Sequence, residues 1–184
     1  MKITKIFTSI IILMSMQSCF IGSGEISEIK ENEKNFFPNL IGIDLEGKKR
    51  EIPQSFEGAL NIIAIGFERE HQEAINTWIP EIEKIIKTNQ NVKFYEVPLI
   101  YKLGNFSRRW VNNGMRFGIT DSIARQRTIT VYTDRDKFFN IMSMRGDRIY
   151  VLLLDKNGKI LLKLEGISNN KKLSSLKKSI NENS

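Results

Sequence analysis

The chain has 184 residues, 41% of them hydrophobic and 27% charged, with 28 basic against 21 acidic side chains and a net charge of +7. That balance suits one compact domain with a sizeable core, and a single cysteine excludes a disulfide-stapled scaffold. The basic residues are interleaved with acids and do not alternate with aromatics, so the pattern excludes a nucleic-acid footprint; the positive excess suits solubility or an anionic surface.

In chain order, residues 1–18 read as a lipoprotein signal peptide. Lys2 and Lys5 open it, an apolar run extends from Ile6 to Met16, and Gln17-Ser18 precede Cys19. In such a chain the peptidase cuts before the cysteine, whose sulfur then carries diacylglycerol. Met16 and Gln17 stand where the usual box has Leu and a small residue; the other reading is an ordinary signal peptide, or a short anchor, with an incidental cysteine. The run falls short of the roughly 20 apolar residues that a spanning helix needs. Cleavage leaves 26 basic and 21 acidic residues, a charge of +5. The expectation is a domain in the cell envelope, held to a membrane by lipid on Cys19 and facing the periplasm or the exterior. Residues 19–35 read as a flexible tether, 36–180 as the folded domain and 181–184 as a frayed tail.

Residues 40–52 read as a hairpin turning at Glu46-Gly47. The run LNIIAIGF, 60–67, is apolar on both alternations, as in a strand covered on both faces. From Gln72 to Lys87, Ile75, Trp78, Ile79, Ile82, Ile85 and Ile86 form one helical stripe, and Pro80 inside it predicts a kink or a junction. A strand at 92–97, ended by Pro98, precedes a helix at 106–118 that carries Phe106, Trp110 and Met115. Trp78 and Trp110 are both expected in the core. A strand at 128–132, a helix at 135–142, a strand at 149–154, a turn at Asp155 to Gly158, a strand at 159–164 and a helix at 169–180 complete the chain. Alternating strands and helices predict an α/β fold: a central mixed sheet flanked by helices, with an N-terminal β-hairpin.

Three segments resemble the thioredoxin-like superfamily in its peroxiredoxin-type elaboration. FPNLIGIDLEGKKREIP (37–53) is similar to that family's opening hairpin. LNIIAIGF is similar to the strand that delivers its reactive loop, and IYVLLLDKNGKI (149–160) to its closing hairpin. Within the superfamily, FEREHQ (67–72), FYEVPLI (94–100), RRWVNNGMRFGI (108–119) and TITVYTD (128–134) resemble a cysteine-free branch that includes the mitochondrial ATP-synthase assembly factor with a thioredoxin-like fold. A lipoprotein leader departs from that mitochondrial setting. The resemblance implies a redox-inactive binding, assembly or chaperone-like module for a membrane or envelope partner. No cofactor and no metal are expected.

In redox members a cysteine follows the first core strand at the start of the next helix. Here that stretch holds Glu68, Arg69, Glu70, His71, Gln72 and Glu73, and none forms a disulfide or a sulfenic acid. The proline expected before the penultimate strand is replaced by Arg148-Ile149. Thiol redox catalysis is excluded in the folded part, and no catalytic constellation replaces it. The candidate binding edge is Arg69, Glu70, His71, Gln72, Arg116 and Arg127. In one reading, Arg69 and Arg116 converge with His71 to grip a carboxylate or phosphate in a non-thiol enzyme or small-anion sensor. In the other, the arginines stitch loops together by pairing with Glu70, Asp121, Asp134 and Asp136. A lone His71 near Glu70 and Glu73 is a poor metal site and more suited to capping.

Overall fold

The computed structural model describes residues 35–184. The signal peptide, Cys19 and all but the last residue of the tether lie outside the described residues. Thirteen elements follow: β1 (Leu40–Asp44), β2 (Lys49–Ile52), β3 (Leu60–Gly66), α1 (His71–Asn76), α2 (Ile79–Thr88), β4 (Val92–Tyr101), α3 (Asn105–Gly118), α4 (Ser122–Arg127), β5 (Ile129–Thr133), α5 (Arg135–Met142), β6 (Tyr150–Asp155), β7 (Ile160–Glu165) and α6 (Asn170–Asn183). The strands form one sheet in the order β2-β1-β5-β4-β3-β6-β7. The central strands β3, β4 and β5 are parallel, and both flanks close antiparallel. This is the expected mixed α/β architecture with its N-terminal hairpin.

β3 is buried at every position because the sheet is covered on both faces. Ile63 and Ile65 join Tyr95, Val97, Leu152 and Phe138 on one side. On the other, Ile62 and Ala64 meet Ile75, Trp78, Ile82 and Leu176 from α1, the α1–α2 junction, α2 and α6. Asn61 is the polar exception in β3. Its amide clamps the preceding turn, accepting from Gly58 N and donating to Gly58 O, both at 3.0 Å. Gly58 must be glycine, since a Cβ there would fall 2.3 Å from Leu60 O.

The hairpin turn is organised by Asp44, whose Oδ1 accepts from Glu46 N (3.1 Å) and Lys48 N (2.8 Å), while Arg50 Nε donates to Oδ2 at 3.1 Å. Gly47 supplies the positive φ, +90°, that the turn requires.

Several local expectations are narrowed or corrected. Of the kink and the junction expected at Pro80, the structure has the junction: the stripe from 72 to 87 is two helices, with Pro80 in the first turn of α2, where its missing N–H costs nothing. β4 runs through Pro98 to Tyr101, because Pro98 pairs with Gly66 at the end of β3 and the strand continues on β5 alone. α4 is an element the periodicity did not reveal; its signal is Asp121, whose carboxylate accepts from Ile123 N and Ala124 N. α6 continues to Asn183 through most of the expected tail. Trp78 is fully buried, but Trp110 is 76% exposed. α3 meets β5 through polar contacts, with Val111 and Met115 half-buried beside them: Tyr132 Oη donates to Asn112 Oδ1 at 2.8 Å, and the Arg108 guanidinium lies 4.9 Å over the Tyr132 ring. Burial pushes the Tyr132 hydroxyl up to about 12.

Candidate functional site

The edge beyond the C-terminal end of β3 is where the parallel strands of such a sheet present loops, and it is where the candidate residues concentrate. β3 ends at Gly66, Phe67 turns into the core, and α1 starts at His71. His71 Nδ1 accepts from the Phe67 backbone N–H at 3.1 Å, and the two rings meet edge-on at 6.1 Å. The imidazole therefore closes its own loop, and the nitrogen that bonds the backbone is not available to a ligand. Arg69 and Glu70, by contrast, are exposed.

Sequence reasoning missed the residue that dominates this edge. Arg135, at the start of α5, is 4% exposed. Its guanidinium lies 4.2 Å over the Tyr101 ring and 5.6 Å from those of Phe67 and Phe139, and its Nη2 donates to Glu68 Oε1 at 2.8 Å. Its Nε has no hydrogen-bond partner among the described residues. An aromatic cage around a guanidinium is a cation–π arrangement, and here the cage is filled by the protein's own side chain. The only sequence signal was the Phe138-Phe139 pair after an arginine, which an amphipathic helix also displays.

A second polar group lies on the helix-covered face of β4. Gln72 Nε2 donates to Glu96 Oε2 at 3.2 Å, and Arg127 Nη1 pairs with Glu83 Oε1 at 2.6 Å while its guanidinium stacks 5.0 Å over Phe94. Glu96 is 8% exposed, and burial raises its carboxyl above the ordinary value, opposed by the Gln72 bond and the Arg127 charge. The structure thus gathers Gln72 and Arg127 around Glu96, with His71 one residue away on its own loop.

Arg116 is not part of either group. It ends α3 and pairs with Glu46 of the β1–β2 turn at 3.1 Å, together with Arg125. In the sheet order, β1 is separated from β3 by β5 and β4, so the convergence of Arg116 with His71 does not occur. The arginines do stitch loops, but with Glu46, Glu68 and Glu83 rather than Glu70, Asp121, Asp134 and Asp136. Asp121 and Asp134 instead accept from backbone N–H groups at the starts of α4 and α5. Beside Arg116, a cleft of about 220 Å³ opens between the hairpin turn and α3, lined by Asp44, Leu45, Arg109, Asn112 and Asn113 among others. Among the described residues, no group of His, Cys, Asp and Glu is placed to hold a metal.

Comparison with known proteins gives three kinds of result. A family model described as ATP10 protein matches residues 20–182. No curated relative matches the sequence. Among solved structures, the chain is similar to the thioredoxin domain of a thiol-disulfide oxidoreductase from Bacteroides vulgatus, with a TM-score of 0.51 and 15% identity over 78% of this chain and 94% of that one. It is also similar to BsSco, a member of the Sco family of cytochrome c oxidase assembly proteins, with a TM-score of 0.51 and 10% identity over 79% and 93%. The exposed lipoprotein thioredoxin of Streptococcus pneumoniae strain TIGR4 gives a TM-score of 0.50 and 14% identity over 76% and 98%. At these identities the likeness establishes a thioredoxin-like fold.

Proposed function

This chain belongs to the ATP10 protein family, and from that premise we propose that it is a redox-inactive assembly module that holds a membrane-complex subunit during assembly. The observation that carries this reading is the state of the edge after β3. His71 is bonded to the backbone of its own loop and Arg135 fills the aromatic cage. No cysteine follows Cys19 in the sequence. Groups that a thiol enzyme leaves free for chemistry are spent here on holding the loop. A loop tied at Phe67, Glu68 and His71 and carrying exposed Arg69 and Glu70 suits docking, and sheet proteins commonly recognise extended chains through backbone bonds beside such loops. Acylation of Cys19 would hold the module at the bilayer where its client is inserted.

The family's resemblance to an ATP-synthase assembly factor makes that complex the first client to examine. The test is crosslinking of the C-terminally tagged chain in intact cells, followed by mass spectrometry of the membrane fraction. Subunits of one membrane complex should enrich, and an Arg69→Glu/Glu70→Arg exchange should lose them. Labelled fatty acid should enter the parent chain and not the Cys19→Ser variant. Equal labelling of unrelated membrane proteins, unchanged by the exchange, would refute the assembly reading.

A further inference from the structure

α3 turns a stripe of large aromatic side chains outward. Phe106, Trp110 and Phe117 are 86%, 76% and 87% exposed. At about 100° per residue they fall within an arc of roughly 40°, spread over about 16 Å of helix axis. None of residues 106–118 is buried. The inner side carries the half-buried Arg108, Val111, Asn112 and Met115, with Asn112 accepting from the Tyr132 hydroxyl. An ordinary surface helix keeps its large aromatic residues on the core side; here only Val111 and Met115 of the apolar residues in 106–118 are half-buried.

The charge around this stripe is one-sided. From Val97 to Thr120 the sequence has four basic residues, Lys102, Arg108, Arg109 and Arg116, and no acidic one. Arg109 and Arg116 lie to one side of the aromatic stripe and line the cleft beneath it with Asn112 and Asn113. Arg116 shares the single carboxylate of Glu46 with Arg125, so this trio keeps a net positive charge. Exposed Trp and Phe beside arginines, without acids, are the composition of helices that lie in the plane of an anionic bilayer. The segment from Phe20 to Lys34 extends at most ~50 Å, enough for a domain held at Cys19 to turn any face toward the same bilayer.

We propose that α3 is a membrane-docking helix, seated in the headgroup region of an anionic bilayer by Phe106, Trp110 and Phe117, with Arg109 and Arg116 meeting lipid phosphates at the cleft. The contact is separate from the acyl anchor and orients the domain by fixing which face looks down. It stands whether or not Cys19 is acylated.

Tryptophan fluorescence tests it on the full chain carrying Cys19→Ser. Trp78 is fully buried and Trp110 exposed, so a change on adding lipid reports α3. With vesicles of phosphatidylcholine and phosphatidylglycerol, Trp110 emission should move to shorter wavelength, lose iodide quenching and gain quenching by brominated acyl chains. Phe106→Ser with Phe117→Ser should weaken this transfer about a hundredfold, roughly tenfold per ring, without changing the melting temperature. If Trp110 stays as open to iodide with vesicles as without them, the proposal fails. That holds even where the chain floats with the vesicles through its N-terminal segment, and the stripe would then belong to a protein partner.

Discussion

Trp78 and Trp110 sit in helical regions of similar sequence character and have opposite fates. Trp78, between α1 and α2, is fully enclosed, and its Nε1 donates to Gly166 O at 3.0 Å, tying the helix pair to the loop after β7. Trp110, on α3, lies on the side opposite the half-buried Arg108, Val111, Asn112 and Met115. Both stretches show apolar residues at helical spacing. Amphipathicity states that a helix has an apolar face; it does not state what that face meets. In the α1–α2 layer the apolar sheet face of β3 supplies the partner. Under α3 the sheet offers Tyr132 of β5 and, at the cleft, Ile43 of β1, and the outer aromatic stripe is left to something outside the fold.

The largest expected effect follows from that contrast. Trp78→Ala should cost about 3–5 kcal/mol in urea unfolding, from lost burial and an orphaned Gly166 carbonyl. Trp110→Ala should stay within about 0.5 kcal/mol. A comparable loss at Trp110 would break the comparison, since it would mean that the stripe is packed within the protein itself.

The same contrast holds between arginines. Arg135→Ala should destabilise by about 2 kcal/mol, because three aromatic rings lose the cation between them and Glu68 loses its partner. Glu68 is half-exposed and can regain water, which keeps the cost below that of breaking a fully buried pair. Arg109→Ala, at the open cleft, should leave the urea midpoint unchanged. Equal midpoints for the two variants would show that the cage does not hold the edge.

The smallest effect concerns Glu96 and is a matter of sign. Burial raises its carboxyl above the ordinary 4.5, so the folded state keeps the proton at pH values where the unfolded state has lost it. Stability from this group is therefore fully present below the unfolded value and is lost as pH rises through the folded one. Glu96→Gln keeps a partner for Gln72 and removes that dependence. The variant should be more stable than the parent at neutral pH, and the two should converge toward the ordinary glutamate range. A gap that does not change with pH would contradict the assignment.

Much of the architecture was legible before any coordinates. The run 60–67 could only be a strand covered on both faces, Glu46-Gly47 a turn, and 149–160 a closing hairpin. Pro80 marked the α1–α2 junction because a proline has no donor to lose in a first helical turn. The candidate edge was less legible. His71 and Gln72 were found because they follow the core strand, whereas Arg135 is 67 residues from Glu68 in sequence and meets it only through the crossing of β3, β4 and α5. Arg116 was misplaced for the same reason. Its partner, Glu46, is 70 residues upstream, and nothing local to a helix end indicates which of several glutamates it will find.

The sequence by itself determined the order of the strands, the two-sided burial of the sheet centre and the lack of any thiol beyond residue 19, because these follow from periodicity and composition along the chain. Only the tertiary structure decided which charges pair, which tryptophan is core and which helix turns an aromatic stripe outward. Those outcomes depend on strand order, and strand order brings together residues that are remote in the chain.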